Sequence, residues 1–278
     1  MSSILTNNSA MNALSTLRSV NNRLGENQGR ISSGLKIQSG KDNAAYFAIS
    51  ETMSGDSGMY KAIDESLTLT KNSVSTARLG AETVADLAKQ FVERVAFAQG
   101  GTAEVRASVQ NELDELAARI GTTISQSTFN GESLVDSGAA VTVVTGISRS
   151  SAGSVATTTI SFNEQDLGVI QSALGAINLT TSSTAALQEA DLKTAETQLT
   201  EAISAATSLG IAERSIETQK DFLTELTNRL DSGVGSMVDA DMEVEAARLQ
   251  SLQVQQQLAT QSLSIANQGP QNLLSLFR

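Results

Sequence analysis

The sequence predicts a mainly α fold of long antiparallel helical coiled coils, formed by the N- and C-terminal halves, with a small β-hairpin region in the middle. Three observations carry this expectation. An apolar heptad runs without a slip from Tyr60 to Ala98, both ends of the chain carry shorter seven-residue apolar rows, and the stretch between the halves turns β-branched and rich in Gly and Ser. Composition points the same way. Hydrophobic residues make up 40% of the 278, but aromatics only 3%, so the core must be built from Ala, Leu, Ile and Val. Ala and Leu cost least in a helix, and the single proline, Pro270, breaks no helix before the C-terminal end.

Charge and residue usage exclude several functions. A formal net charge of −11 argues against nucleic acid as a partner, because neutralising phosphates takes clustered Lys and Arg. The chain has no Cys and no His, which removes thiolate nucleophiles, disulfides, thiolate zinc sites and imidazole chemistry. The opening MSSILTNNSAMNALSTL lacks the basic and unbroken apolar parts of a secretory signal. No stretch approaches the ~20 apolar residues of a membrane span, so membrane insertion is not expected.

Taken in order, Ala10, Leu17, Leu24 and Ile31 are spaced by seven, with Leu14 beside them, and predict a first amphipathic helix ended by Gly34. In SSGLKIQSGKDNAAYFAIS (residues 32–50) the segment LKIQSG crosses to a second helix. Ser39 with Asp42 predicts a capping-box start for it, and Tyr46 and Phe47 are expected to wedge between this connector and the rod beyond. The seam from Tyr60 to Ala98 ends at Gly100-Gly101. Thr102 then caps a shorter helix with Val105, Val109, Leu113, Leu116 and Ile120 on its apolar face, folded back as a helical hairpin. Strands around 140–147 and 155–162 predict a β-hairpin joined by SRSSAG, whose Ser residues are candidate O-glycan sites, and a weak helical patch follows near 165–174.

The return limb repeats the helical pattern, with Leu192, Ala195, Leu199, Ala202, Ala206, Leu209, Ile216, Leu223, Leu230 and Met237 on one seam. Glu213, Lys220 and Thr227 take alternate seam positions, where polar residues set register at some cost in stability. DSGVGSMVDADM (231–242) is expected to interrupt the helix, with Asp239 capping the next one. In that last helix Met242, Leu249 and Leu263 form one row and Leu252, Ala259 and Ala266 another, and GPQNLLSLFR follows as a tail. The two terminal helices are too narrow-faced to stand alone, so they are expected to pair with each other. Ile4 and Leu5 at one end, and Leu273, Leu274, Leu276 and Phe277 at the other, either tuck against their own helices or order when other copies of the chain bury them. The division expected is an inner coiled-coil core from 1–42 and 236–278, with its connector at 33–42. A helical rod domain follows from 43–134 and 176–235, and a β-hairpin and loop region from 135–175.

Three of these stretches, in this order, resemble bacterial flagellins. SSGLKIQSGKDNAAYFAIS is similar to the N-terminal signature of that family, and STFNGESLV (127–135) to the segment that leaves the helical hairpin for the β region. VDADMEVEAARLQSLQVQQQLATQSLSIANQGPQNLLSLFR (238–278) is similar to the C-terminal domain. The DNAAYF form looks most like alphaproteobacterial members, and the commoner family pattern has Gly where Tyr46 stands. The resemblance implies the two concentric layers known as D0 and D1, with an outer variable domain essentially absent here. It implies a structural subunit of the flagellar filament that serves swimming motility, secreted through the flagellar type III export apparatus. The partners implied are further copies of itself or other flagellins, an export chaperone, and hook-associated and cap proteins, with no cofactor. The family's innate-receptor recognition stretch aligns with QFVERVAFAQ (90–99), where only Arg94 and Gln99 match, so recognition by that receptor is expected to be weak.

Rival classes fit less well. Asp239/Asp241 and Glu112/Asp114/Glu115 are acid groupings that an enzyme or metal site could use, but helix caps and solvated helix faces account for them. The zinc-protease insert of some flagellins needs HExxH, and this chain has no His. A signalling coiled coil does not account for a β-hairpin between helical halves. A hook–filament junction protein would share the termini but carry a more distinct central region.

Overall fold

The computed structural model describes residues 7–149 and 155–275, the side chains of 269–275 excepted. Among the described residues there are six helices and four strands: α1 (Asn8–Ser33), α2 (Ala44–Ala98), α3 (Ala103–Gln126), β1 (Thr128–Phe129), β2 (Glu132–Ser133), β3 (Ala140–Arg149), β4 (Val155–Asn163), α4 (Leu167–Gly175), α5 (Ala185–Val238) and α6 (Met242–Ser275). They divide into two compact units, one of Met1–Ser57 with Asn228–Arg278 and one of Gly58–Thr227. The expected fold class is what the structure has.

In the larger unit the heptad of α2 is the core. Leu67, Val74, Ala81, Val84, Ala88 and Val95 are fully covered and Phe91 nearly so. Against that seam pack Val109, Leu113 and Ile120 of α3, Ile170 and Leu174 of α4, and Ala195, Ala202, Leu209, Ile216 and Leu223 of α5. The α2–α3 reversal follows its sequence signals. Gly100 takes φ 72°, and the Thr102 hydroxyl accepts from the Val105 N–H at 3.4 Å. Strands β3 and β4 form the expected antiparallel hairpin, with a register shift between Val144 and Gly146. Leu134 and Val135 are buried between this hairpin and α4, and their carbonyls accept from the Gln165 and Leu167 N–H groups.

One element lay outside the sequence expectation. STFNGESLV contains a miniature hairpin, in which Thr128 pairs with Ser133 and Phe129 with Glu132. Its two-residue loop is Asn130-Gly131 with φ 52° and 82°, the positive-φ turn that Asn-Gly favours.

Three boundaries differ from expectation. α5 continues through Gly233 and Gly235 to Val238, so the interruption shrinks to Asp239–Asp241, because burial of Val238 outweighs the modest helix penalty of two glycines. Asp241, not Asp239, caps α6, its carboxylate accepting from the Glu243 and Val244 N–H groups at 3.0 and 3.1 Å. α6 also runs through Pro270 to Ser275, so GPQNLLSLFR begins inside the helix. A proline whose φ is already helical removes one hydrogen bond without stopping the chain.

Gly80 meets Ser127 so closely that a Cβ there would stand 2.6 Å from the Ser127 Cβ, whereas a Cβ at Gly58 would meet nothing within 4 Å. Gly80→Ala is therefore expected to destabilise the larger unit by about 1–3 kcal/mol, and Gly58→Ala to stabilise it by up to ~1 kcal/mol through helix propensity. Urea unfolding followed by circular dichroism reads both, and equal effects of the two substitutions would contradict the close approach.

Candidate assembly surface

The terminal helices α1 and α6 pair along two alternating rows. On α1 the covered positions are Ala10, Ala13, Leu17, Val20, Leu24, Asn27 and Ile31, and on α6 they are Glu245, Leu249, Leu252, Gln256, Ala259, Leu263 and Ala266. Both sets alternate steps of three and four, the spacing of a coiled-coil seam. The sequence reading saw one position per heptad on α1 and missed Val20 and Asn27. An Asn in the row breaks the apolar pattern, although it occupies the same geometric place. Leu14 and Met242, expected at this seam, stand 38% and 47% exposed.

One layer of the seam is polar. Asn27 and Glu245 are buried at 2% and 5% exposure. The Asn27 amide donates to the Glu245 carboxylate and, at 3.1 Å, to the Glu245 carbonyl. Arg248 at 2.8 Å and Arg30 at 3.5 Å complete the carboxylate's shell. Elsewhere along the pair, Asn7 donates to the Ala266 carbonyl at 2.8 Å and Gln256 to Asn21 at 2.8 Å.

α6 carries a second apolar row on its opposite side. Val244, Val254, Leu258 and Ile265 are 49%, 55%, 61% and 62% exposed, and Met11 of α1 is 63% exposed. None was singled out from the sequence. The signal was there, since Val244, Leu258 and Ile265 share one seven-residue spacing, but the seam with α1 already accounted for the helix's amphipathicity.

The connector is tied down by backbone hydrogen bonds. Gly34 ends α1 in the left-handed conformation at φ 74°. Its carbonyl accepts from Ala240, and Lys36 donates to the Val238 carbonyl at 2.6 Å, clamping Leu35 against Asp239. Ser39 and Asp42 do not form a capping box. The Asp42 carboxylate turns back to accept the Gln38 and Ser39 N–H groups and the Ser39 hydroxyl, and Asn43 caps α2 instead, accepting from Ala45 and Tyr46. The Gln38 N–H above all, with the Ser39 hydroxyl and N–H, holds the Asp42 carboxyl below its usual range. Phe47 is half-buried near Gly40, while Tyr46 is 49% exposed, so within the chain the Tyr46 ring does not wedge.

In the larger unit the charged seam positions of α5 have partners within the chain. Glu213 pairs with Arg78 at 2.6 Å, and Lys220 reaches Thr68 and, at 3.9 Å, Asp64. Thr227 is buried at 7% exposure. Lys71 and Glu217 add a pair at 2.7 Å. Of the receptor-type residues, Arg94 lies 3.1 Å from Glu112 of α3, and the Gln99 amide donates to the Gln188 carbonyl at 3.2 Å. Ile4, Leu5, Leu276 and Phe277 lie outside the described residues, and Leu273 and Leu274 fall in α6 with side chains outside them.

Lys71 donates a hydrogen bond to the Glu217 carboxylate, which lowers the Glu217 pKa and raises that of Lys71. The pair's stabilisation is therefore present above the ordinary carboxylate pKa and lost as pH falls through Glu217's lowered value; at the alkaline end it is lost as pH rises through Lys71's raised one. Glu217→Gln is expected to lower the urea midpoint at pH 7 but not at about pH 2, and added salt should shrink the difference at pH 7. A pH-independent difference would show that the pair does not act through charge.

Comparison with known proteins places this architecture. The family model described as the bacterial flagellin N-terminal helical region matches residues 4–140, and that of the bacterial flagellin C-terminal helical region matches 192–277. A flagellin of Brucella melitensis is 36% identical over 281 residues, covering all of both chains. Flagellin FljM of Caulobacter vibrioides is 36% identical over 284 residues, covering all of this chain and 99% of the relative. A solved structure of a putative flagellar hook-associated protein from Vibrio parahaemolyticus overlays 71% of this chain and all of its own at a TM-score of 0.50, with 13% identity, a likeness of fold alone. With both terminal regions matched and relatives aligned along its whole length, the chain belongs to the bacterial flagellin family.

Proposed function

We propose that the chain is the structural subunit that polymerises into the bacterial flagellar filament, with the α1·α6 pair of each copy buried against those of its neighbours. The observation that carries this reading is the double-sided apolar character of α6. One row is covered by α1, and the opposite row, with Val254, Leu258 and Ile265 more than half exposed, is left for a partner. A contact between unlike surfaces of identical subunits that does not close on itself generates a helical polymer. In this assignment 1–42 and 236–278 form the inner layer with 33–42 as its connector, 43–134 and 176–235 form the rod, and 135–175 the β-hairpin region, tied to α2 and α5 where the Tyr60 hydroxyl donates to the Ile147 carbonyl and the Gln219 amide to the Thr145 carbonyl. The apolar residues Ile4, Leu5, Leu273, Leu274, Leu276 and Phe277 belong to the inter-subunit packing. Tyr46, exposed within the chain, is available to a neighbour.

The family also supports an extracellular location in the flagellum, reached through the export apparatus with a chaperone, and ends of the filament that meet hook-associated and cap proteins. The hook-associated likeness is one of fold only, while the full-length relatives are flagellins, so the filament reading is preferred. Recognition by the innate receptor is weak in this reading. Arg94 is already paired with Glu112 and Gln99 with Gln188, so binding would first have to break both.

Val254→Glu with Leu258→Glu is expected to abolish sedimentable filaments while leaving the thermal unfolding of the larger unit unchanged. Filaments at the unsubstituted rate would overturn the assignment of this row. Removing the last ten residues should likewise leave helical but soluble chains. A reporter-cell assay for the receptor should give a response well below that of enteric flagellins, and equal potency would refute the weak-recognition reading.

A further inference from the structure

We propose that the buried Asn27–Glu245 layer is the element that sets the register of the α1·α6 pair, a specificity role that rests on and deepens the assembly reading above. The rest of the seam is made of residues that cannot choose. Ala13, Leu17, Val20 and Leu24 would meet Leu249, Leu252, Ala259 and Leu263 nearly as well after a slip of one heptad, because both helices repeat every seven residues. Gln256, the other polar residue of the α6 row, donates to Asn21, which stands exposed outside the α1 row, so this bond is weakly specifying.

The polar layer behaves differently. In the observed register Asn27 faces Glu245, and Arg30 and Arg248 stand one turn from them on their own helices. A slip of one heptad in one direction sets Glu245 opposite Val20 and carries Asn27 past the start of α6. A buried carboxylate would then lose its amide donor and the Arg30 contact. A slip the other way sets Asn27 opposite Leu252 and carries Glu245 to the end of α1 at Gly34. An unpaired buried charge costs far more than imperfect apolar packing, so one layer can outweigh six permissive ones. The orientation of the Asn27 side chain agrees with this role. Its amide nitrogen serves both Glu245 acceptors while its oxygen is buried without a partner, a cost tolerated for the sake of the pairing. Pairing of α6 with another α6 offers no such match, since it sets two carboxylates together.

The chain has no cysteine, so introduced disulfides can report register directly. Ala13→Cys with Ala259→Cys lies two heptads along from the polar layer and is in register. Ala13→Cys with Leu252→Cys, and with Ala266→Cys, report slips of one heptad either way. Each pair is placed in the unsubstituted background and in Asn27→Leu/Glu245→Leu, oxidised, and resolved on non-reducing gels, from filaments or, where none form, from the soluble chain. In the unsubstituted background the 13/259 bridge is expected almost exclusively. In the double-Leu background the share of slipped bridges should rise at least about tenfold, because an all-apolar seam remains stable but no longer selects. An unchanged share of slipped bridges overturns the proposal. So does loss of every bridge in the double-Leu background, which would make the layer a requirement for pairing and not a selector of register. Failure of the filament reading is seen separately, as no sedimentable polymer from the unsubstituted chain.

Discussion

A helix with an apolar stripe only two positions per heptad wide has little stability until another helix covers the stripe, and every long helix of this chain is of that kind. This requirement orders the structure. α2 supplies the longest stripe, and α3, α4, α5 and the β region each exist as folded elements by covering part of it. α1 and α6 answer the same requirement in the other unit by covering each other. The stripe of α2 is largely Ala and Val, and its few large side chains, such as Phe91 and Leu67, are enclosed.

Heptad repeats solve the covering problem many times over, so they need something to choose among the solutions. In both units that choice falls to polar groups on the seams. In the larger unit Arg78 with Glu213 and Lys220 with Thr68 and Asp64 tie α2 to α5 in one antiparallel register. In the smaller unit Asn27 and Glu245 stand in the row itself. Such residues weaken a seam compared with Leu, and their value lies in making the alternatives worse. For a flagellin this matters doubly, because copies of the same helices lie side by side in a polymer and every mispairing is close at hand.

The second apolar row of α6 shows how a covered helix can still be incomplete. Burial against α1 satisfies one side and leaves Val244, Val254, Leu258 and Ile265 in solvent. A monomer gains nothing from these residues, whereas a polymer gains the hydrophobic free energy of burying them, about 1.5–3 kcal/mol for each side chain fully covered.

What the sequence determined by itself is the set of elements and the face each one buries. The heptad from Tyr60 to Ala98, the Gly100-Gly101 stop, the Thr102 cap, the β-branched hairpin and the seven-residue rows at both ends are local patterns, and local physics makes them legible. The family was legible too, from three motifs in order. Tertiary structure alone decided the finer points, because each depends on a partner distant in the chain. Asn27 is a seam residue only because Glu245 faces it. Asp42 folds back on Gln38 and Ser39 while Asn43 caps the helix, and α5 passes through two glycines because Val238 is buried at its end. Glu213 and Lys220 are held within the chain because α2 presents Arg78, Thr68 and Asp64 at the matching height. Periodicity names the face of a helix, but which polar residue on that face is a cap, a pair or a selector is settled only by what stands opposite.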